Sequence, residues 1–104
     1  MEILFFDEKI DEFIDSLEKA GIAKALRTID LLERFGNKLG MPHSKKIAKG
    51  LFELRIRGEE EARIIYTFHK SSIVLLHGFK KKSQKIPKRE LNVAREKQKI
   101  LDDV

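Results

Sequence analysis

Apolar positions change their spacing along this chain, and each change predicts a change of element. Residues 2–6, Glu2-Ile3-Leu4-Phe5-Phe6, are short, apolar and β-compatible, and predict a brief edge strand. Asp7 and Glu8 then place carboxylates where a helix N-terminus favours them, and Ile10, Phe13, Ile14 and Leu17 follow at helical spacing. Ala20-Gly21 is expected to break this helix. A second begins near Ile22, carries Leu26, Ile29, Leu32 and Phe35 on or near one face, and ends at Gly36-Asn37. The two stripes predict a helical hairpin with its apolar sides in the core. Residues 38–50 hold two glycines, a proline and several lysines, and read as a loop.

From Leu51 the period drops to two. Phe52, Leu54 and Ile56 alternate with Glu53, Arg55 and Arg57, so the two sets face opposite ways along a strand. Gly58 and three glutamates make a polar turn. Residues 62–69 form a second strand, with Ile64, Tyr66 and Phe68 on one side and Arg63, Ile65, Thr67 and His69 on the other. After a turn at residues 70–72, residues 73–79 are more continuously apolar and therefore central. Residues 80–85 are a basic loop, and Pro87 opens a last helix that turns Leu91, Ala94 and Leu101 inward. The pattern predicts one α+β domain over residues 1–104: an N-terminal helical hairpin on a curved antiparallel sheet of three to four strands, followed by a C-terminal helix.

Composition narrows the function classes. The 104 residues include no cysteine, which excludes thiol catalysis and cysteine-based zinc sites and suits a reducing compartment. The N-terminus lacks the basic start of a signal peptide, and runs such as Ile73-Val74-Leu75-Leu76 are too short to cross a bilayer, so a soluble, cytoplasmic protein with no membrane partner is expected. The net charge of +5 is unevenly spread: residues 1–40 carry six basic and nine acidic side chains, while residues 80–104 carry nine and four. A basic C-terminal part is a natural partner for polyanions, although a solvated lysine-rich surface fits the same count.

The sharpest local feature is the arginine pair on the non-core parity of adjacent strands. Arg55 and Arg63 flank one turn. An odd-to-odd register makes them converge on one sheet face, where two guanidinium forks suit a phosphate; an odd-to-even register sends them to opposite faces. The alternative is a solvated face partnered by Glu53 and the turn glutamates. Lys80, Lys81, Lys82, Lys85, Lys88 and Arg89 follow the third strand without an acid among them, and Lys45, Lys46 and Lys49 precede the first arginine strand and can extend the same patch. Such contacts give salt dependence without sequence preference. His43, His69 and His77 have no metal-ligand spacing, and neither metal nor cofactor is expected. His77 reads as a hydrogen-bonded core histidine, His43 stays open, and Tyr66 has core parity with a tethered hydroxyl.

Several strings then resemble a known family. Leu39-Gly40-Met41-Pro42-His43-Ser44-Lys45-Lys46, Gly50-Leu51-Phe52-Glu53-Leu54-Arg55, Arg63-Ile64-Ile65-Tyr66, Leu75-Leu76-His77-Gly78-Phe79-Lys80-Lys81-Lys82 and Pro87-Lys88-Arg89-Glu90-Leu91 resemble, in order and spacing, the phage-derived branch of RelE/HigB-like toxins. Phe13-Ile14-Asp15-Ser16-Leu17 resembles the first helix of that family. The resemblance implies a RelE-like, microbial-RNase-like fold and metal-independent cleavage of mRNA on the ribosome. It also implies a helix-turn-helix antitoxin as partner, with operator DNA bound only through that antitoxin. It maps the strand arginines onto Arg55 and Arg63 and the basic loop onto Lys80, Lys81 and Lys82. The acidic turn of Glu59, Glu60 and Glu61 departs from the usual glycine-containing turn.

The chemistry expected is attack of a 2′-hydroxyl on the adjacent phosphorus, with Arg55, Arg63 and Lys81 or Lys82 stabilising the charge that gathers there. Glu53, Tyr66 or a lysine of lowered pKa could act as base, and the residues do not decide among them. A poor acid–base set suits a reaction whose geometry the ribosome supplies, since orientation is worth roughly 7–11 kcal/mol. The contact set expected for RNA is Lys45, Lys46, Lys49, Arg57, Lys80, Lys85, Lys88 and Arg89. The rival readings are a ParE-like toxin that acts on DNA gyrase without cutting RNA, and a non-catalytic RNA or ribosome binder.

Overall fold

A computed structural model describes residues 1–104. The opening apolar run is β1 (Glu2–Phe5), and two helices follow it, α1 (Glu8–Asp15) and α2 (Lys19–Phe35). The remaining strands are β2 (Ser44–Ala48), β3 (Leu51–Ile56), β4 (Ala62–His69) and β5 (Ser72–Lys80), and α3 (Lys88–Asp102) closes the chain. The sheet order is β1-β5-β4-β3-β2. This is an α+β arrangement of three helices and five strands. No helix is long and apolar enough to cross a membrane.

Two expectations about the sheet need correction. It has five strands where three to four were expected, and it is mixed, because β1 runs parallel to β5 with Glu2 opposite Ser72 and Phe5 opposite Leu75. The added strand is β2, which lies inside the segment read as a loop and pairs antiparallel with β3. It is an edge strand with exposed Lys45 and Lys46, so its charged positions face water and alternation is weak. The helix break also moves. Ser16 turns its hydroxyl back to the Phe13 carbonyl at 2.6 Å, and Glu18 is extended and starts α2. Gly21 lies inside α2, where a Cβ would stand 3.3 Å from the Leu17 Cβ, so its role is close packing against buried Leu17.

Strand alternation divides the core between the two faces. On one, Ile10, Ile14 and Leu17 with Ala25, Ile29 and Leu32 of α2 pack against Leu54, Ile64, Tyr66, Ile73 and Leu75. On the other, α3 lays Ala94 and Leu91 over Leu51, Ile65, Val74, Leu76 and Phe79. A β-bulge opposite the Ile65/Tyr66 step inserts Leu76 as an extra residue in β5. The bulge reverses the parity of everything after it, so Phe79 and then Lys81 come to the α3 face while Gly78 and Lys80 go to the other.

Two contacts hold the bulge. Lys97 of α3 donates to the Leu76 carbonyl at 2.8 Å and reaches the Asp7 carboxylate at 3.0 Å. Asp7 also accepts from the Lys9 amide and caps α1. Burial alone would raise the Asp7 carboxyl, but the hydrogen bond and charge of Lys97 outweigh it and hold the group below the usual aspartate value. On the opposite face the Phe13 ring packs so closely on Gly78 that a Cβ there would overlap it. The glycine is needed for that approach. Gly78→Ala is expected to destabilise the protein by about 1–3 kcal/mol through overpacking, with Phe13→Leu in the same chain recovering part of the loss. Urea unfolding measures both; an unchanged midpoint for Gly78→Ala would contradict the packing described.

Candidate functional site

The face under α3 is only partly covered. Beyond Leu51 and Ile65, toward the C-terminal end of β3, the same face carries charged residues in place of apolar ones. The register is odd-to-odd: Arg55 pairs directly with Arg63, and Lys45 of β2 stands opposite Glu53. The Lys81 amide donates to the Glu61 carbonyl at 2.8 Å, extending the β4–β5 pairing by one step and turning Lys81 to the arginine side.

Two arginines in direct cross-strand opposition repel each other unless an anion lies between them. Glu53 is that anion. Its Oε2 is 3.0 Å from the Arg55 Nε and its Oε1 is 3.5 Å from the Arg63 Nε, and the Glu53 side chain is 2% exposed. Arg63, also 2% exposed, donates through Nη1 to the Ala62 carbonyl at 3.0 Å and reaches Glu61 Oε2 at 3.2 Å. The Glu53 Oε1 and the Arg63 Nε have no hydrogen-bond partner, so their contact is charge attraction alone. Arg63 is thus committed to its own surroundings. Arg55, 11% exposed, gives only its Nε to Glu53 and is bound by no other carboxylate.

Above this triad opens a cleft of about 530 Å³ lined by Lys45, Arg55, Arg57, Glu61, Arg63, Lys81, Lys82, Ser83 and Gln84, with no hydrophobic residue among them. Six of the nine are basic and one is acidic. Burial lowers the Lys81 ammonium from the usual lysine value, Glu53 opposes that shift, and the neighbouring Arg63 and Arg55 add to it. A second hollow of about 360 Å³ shares Lys45, Arg55, Lys81 and Gln84 with the cleft and adds Lys46 and Lys85 beside Ile47, Ile86 and Leu91. A dense set of fixed cations facing open solvent, with hydroxyl and amide donors beside them, can bind an anion with several oxygens.

Of the residues singled out from sequence, Arg55, Arg63, Lys81, Lys82, Lys45 and Arg57 meet in the cleft, and Lys46 and Lys85 line its extension. The others lie elsewhere. Lys80 points to the helix side and pairs with Glu60 at 2.6 Å. Lys49 sits in the β2–β3 turn near Gln98, and Lys88 and Arg89 begin α3 in solvent. Tyr66 is not brought to the cleft: it is buried on the opposite face, stacked on Phe52, with its hydroxyl bonded to Ser44. Burial pushes that hydroxyl up, and Ser44 only partly offsets it. His77 bonds Glu90 of α3 at 2.9 Å and stacks on Phe79; His43 accepts the Arg55 amide through its carbonyl. No three His, Asp or Glu side chains are grouped as a cation site. Sequence reasoning treated Glu53 as a candidate base or a partner on a solvated face; its shared parity with both arginines was the available signal of its position between them.

A small α+β domain with an open, cationic, oxygen-seeking cleft on its sheet is the class defined by this fold and this site. The chain belongs to the Phage derived protein Gp49-like (DUF891) family, whose pattern it matches over residues 12–99. No curated protein matches it significantly in sequence.

The triad makes opposite demands on two neighbouring residues. Glu53→Gln leaves the arginines facing each other without a buried counter-charge and is expected to cost about 3–5 kcal/mol. Burial and the neighbouring arginines disfavour the charged form of Lys81, and that cost is relieved as pH rises. Lys81→Met is therefore expected to match or exceed the parent in thermal midpoint at pH 7, with the difference shrinking at alkaline pH. Thermal unfolding across pH 7–10 tests both; a Glu53→Gln protein as stable as the parent would remove the buttress from the account.

Proposed function

We propose that this protein is the toxin of a type II toxin–antitoxin pair, a RelE/HigB-like endoribonuclease that cleaves mRNA on the ribosome. The observation that carries the reading is the convergence of Arg55, Lys81, Lys82 and Lys45 on one open cleft without hydrophobic lining. The family's phage-derived character and the sequence resemblance to RelE/HigB-like toxins support it. The arrangement of three helices and a five-stranded sheet is read as a RelE-like fold.

In this mechanism the cleft receives one RNA linkage. The 2′-hydroxyl oxygen attacks the adjacent phosphorus, the bond to the 5′-oxygen breaks, and the products are a cyclic 2′,3′-phosphate and a 5′-hydroxyl. The free Nη groups of Arg55 grip the non-bridging oxygens as negative charge builds on them. Arg63 acts as a positioning residue: it holds Glu53, which holds Arg55. Lys81 is the group suited to proton transfer, since its lowered pKa brings an ammonium closer to the working pH and lets it protonate the departing 5′-oxygen. Glu53, buried between the two arginines, serves to aim Arg55. The ribosome completes the geometry and the remaining proton path, and free RNA is a poor substrate. A small helix-turn-helix antitoxin covers the cleft in the resting complex and alone contacts operator DNA.

Mapping mRNA 5′ ends after brief induced expression, with and without translating ribosomes, tests the proposal. New 5′-hydroxyl ends confined to translated regions are expected, with Arg55→Ala and Lys81→Met each lowering their yield by about 10²–10³. Growth arrest with intact transcripts and a DNA-damage response would overturn the nuclease reading in favour of a gyrase inhibitor.

A further inference from the structure

β2 starts at Ser44, opposite Leu54, so the last residues of β3 have no strand outside them; only the His43 carbonyl meets the Arg55 amide there. The cationic surface does not stop at that free edge. A shallower hollow of about 190 Å³ lies across it, on the α2 side, and shares Arg55 and Arg57 with the cleft. Its other walls include Lys24, Arg27, Thr28 and His43, and no acidic residue lines it. Lys24 is fixed in place by donating to the Arg57 carbonyl, and Arg27 makes no ion pair with any carboxylate. Lys24, Arg27 and Arg57 also border the adjoining hollow toward the start of α2, whose far wall is acidic, with Glu18, Glu59 and Glu60.

We propose that this α2 hollow is a second phosphate site, which takes the RNA backbone as it leaves the cleft and crosses the end of β3. The inference rests on the reading of the cleft as an RNA site and extends it to a track of defined course. The track runs from the Arg55–Lys81 cleft over Arg57 to Lys24 and Arg27, and the three glutamates end it by repulsion. The hollow holds no Phe, Tyr or Trp and His43 is its one aromatic ring, so its grip is set by the charges of Lys24 and Arg27 on the backbone. Lys24 and Arg27 lie in the acidic third of the sequence, which hides them from a reading of charge along the chain. Folding makes them continuous with the basic loop.

The full chain is titrated with two RNAs carrying 2′-O-methyl groups, which block cleavage: a dinucleotide with a single phosphate and an octanucleotide. Arg27→Gln is expected to weaken octanucleotide binding several-fold and to reduce the slope of log K against log salt by about 0.7, the share of one phosphate on a single strand. The dinucleotide, which fits the cleft alone, binds unchanged, and Arg27→Lys restores the slope. An octanucleotide affinity and slope unaltered by Arg27→Gln, while Arg55→Gln still weakens both RNAs, would overturn the track and leave the cleft standing. If Arg55→Gln also changes neither, the RNA reading of the cleft itself falls, and the track with it.

Discussion

The cleft depends on one carboxylate. β3 and β4 pair so that two arginines face each other directly, and without Glu53 this register would be electrostatically unfavourable. Glu53 lies two residues before Arg55 on the same strand face and reaches both guanidinium groups from below. The arrangement is asymmetric. Arg63 is consumed by Glu53, Glu61 and the Ala62 carbonyl, whereas Arg55 keeps its outer nitrogens free. A buried arginine thus immobilises a glutamate that aims a less buried arginine, the kind of support that fixes a binding group before its ligand arrives. The desolvation of Lys81 by the same cluster belongs to that arrangement, because a fixed cationic pocket is unfavourable until an anion fills it.

The rest of the fold places this triad. α3 covers half of one sheet face with apolar contacts and leaves the other half open, so the hollow borders a packed core. The bulge at Leu76 decides which basic residue joins it: one extra residue sends Lys81 to the arginines and Lys80 to Glu60. Lys97 caps the bulge carbonyl and ties it to the start of α1 through Asp7, which links the N-terminal segment to the aim of a residue far along the chain.

Much of this was legible in the residues. Alternation located β3 and β4, the apolar run located β5, and parity set Tyr66 on one face and both arginines on the other. That the arginine face carries a second core under α3 was not legible, because only scattered residues such as Leu51 and Ile65 mark it. The odd-to-odd register is the one that sets Phe52, Leu54 and Ile56 on the same face as Ile64 and Tyr66, so the apolar parity of the two strands carried that signal, while the exact partner of each arginine depends on the turn. β2 escaped notice because a one-sided edge strand with Lys45 and Lys46 outward has the composition of a loop. β1 pairs with β5 across about seventy residues, a contact that no local window contains. The helix break was misread because Gly21 serves packing against Leu17 and ends nothing. The basic loop was visible as a run, yet only Lys81 and Lys82 of its first three residues reach the cleft, since strand parity after a bulge cannot be counted from sequence.

The central claim is that a phosphate belongs between Arg55 and Lys81. The most direct measurement is the ionisation of the Lys81 side chain by NMR, with the amine labelled, in the free protein and with excess 2′-O-methyl dinucleotide. A value below the ordinary lysine range is expected in the free protein, climbing once the dinucleotide binds. A normal lysine pKa that the dinucleotide leaves unmoved would contradict it.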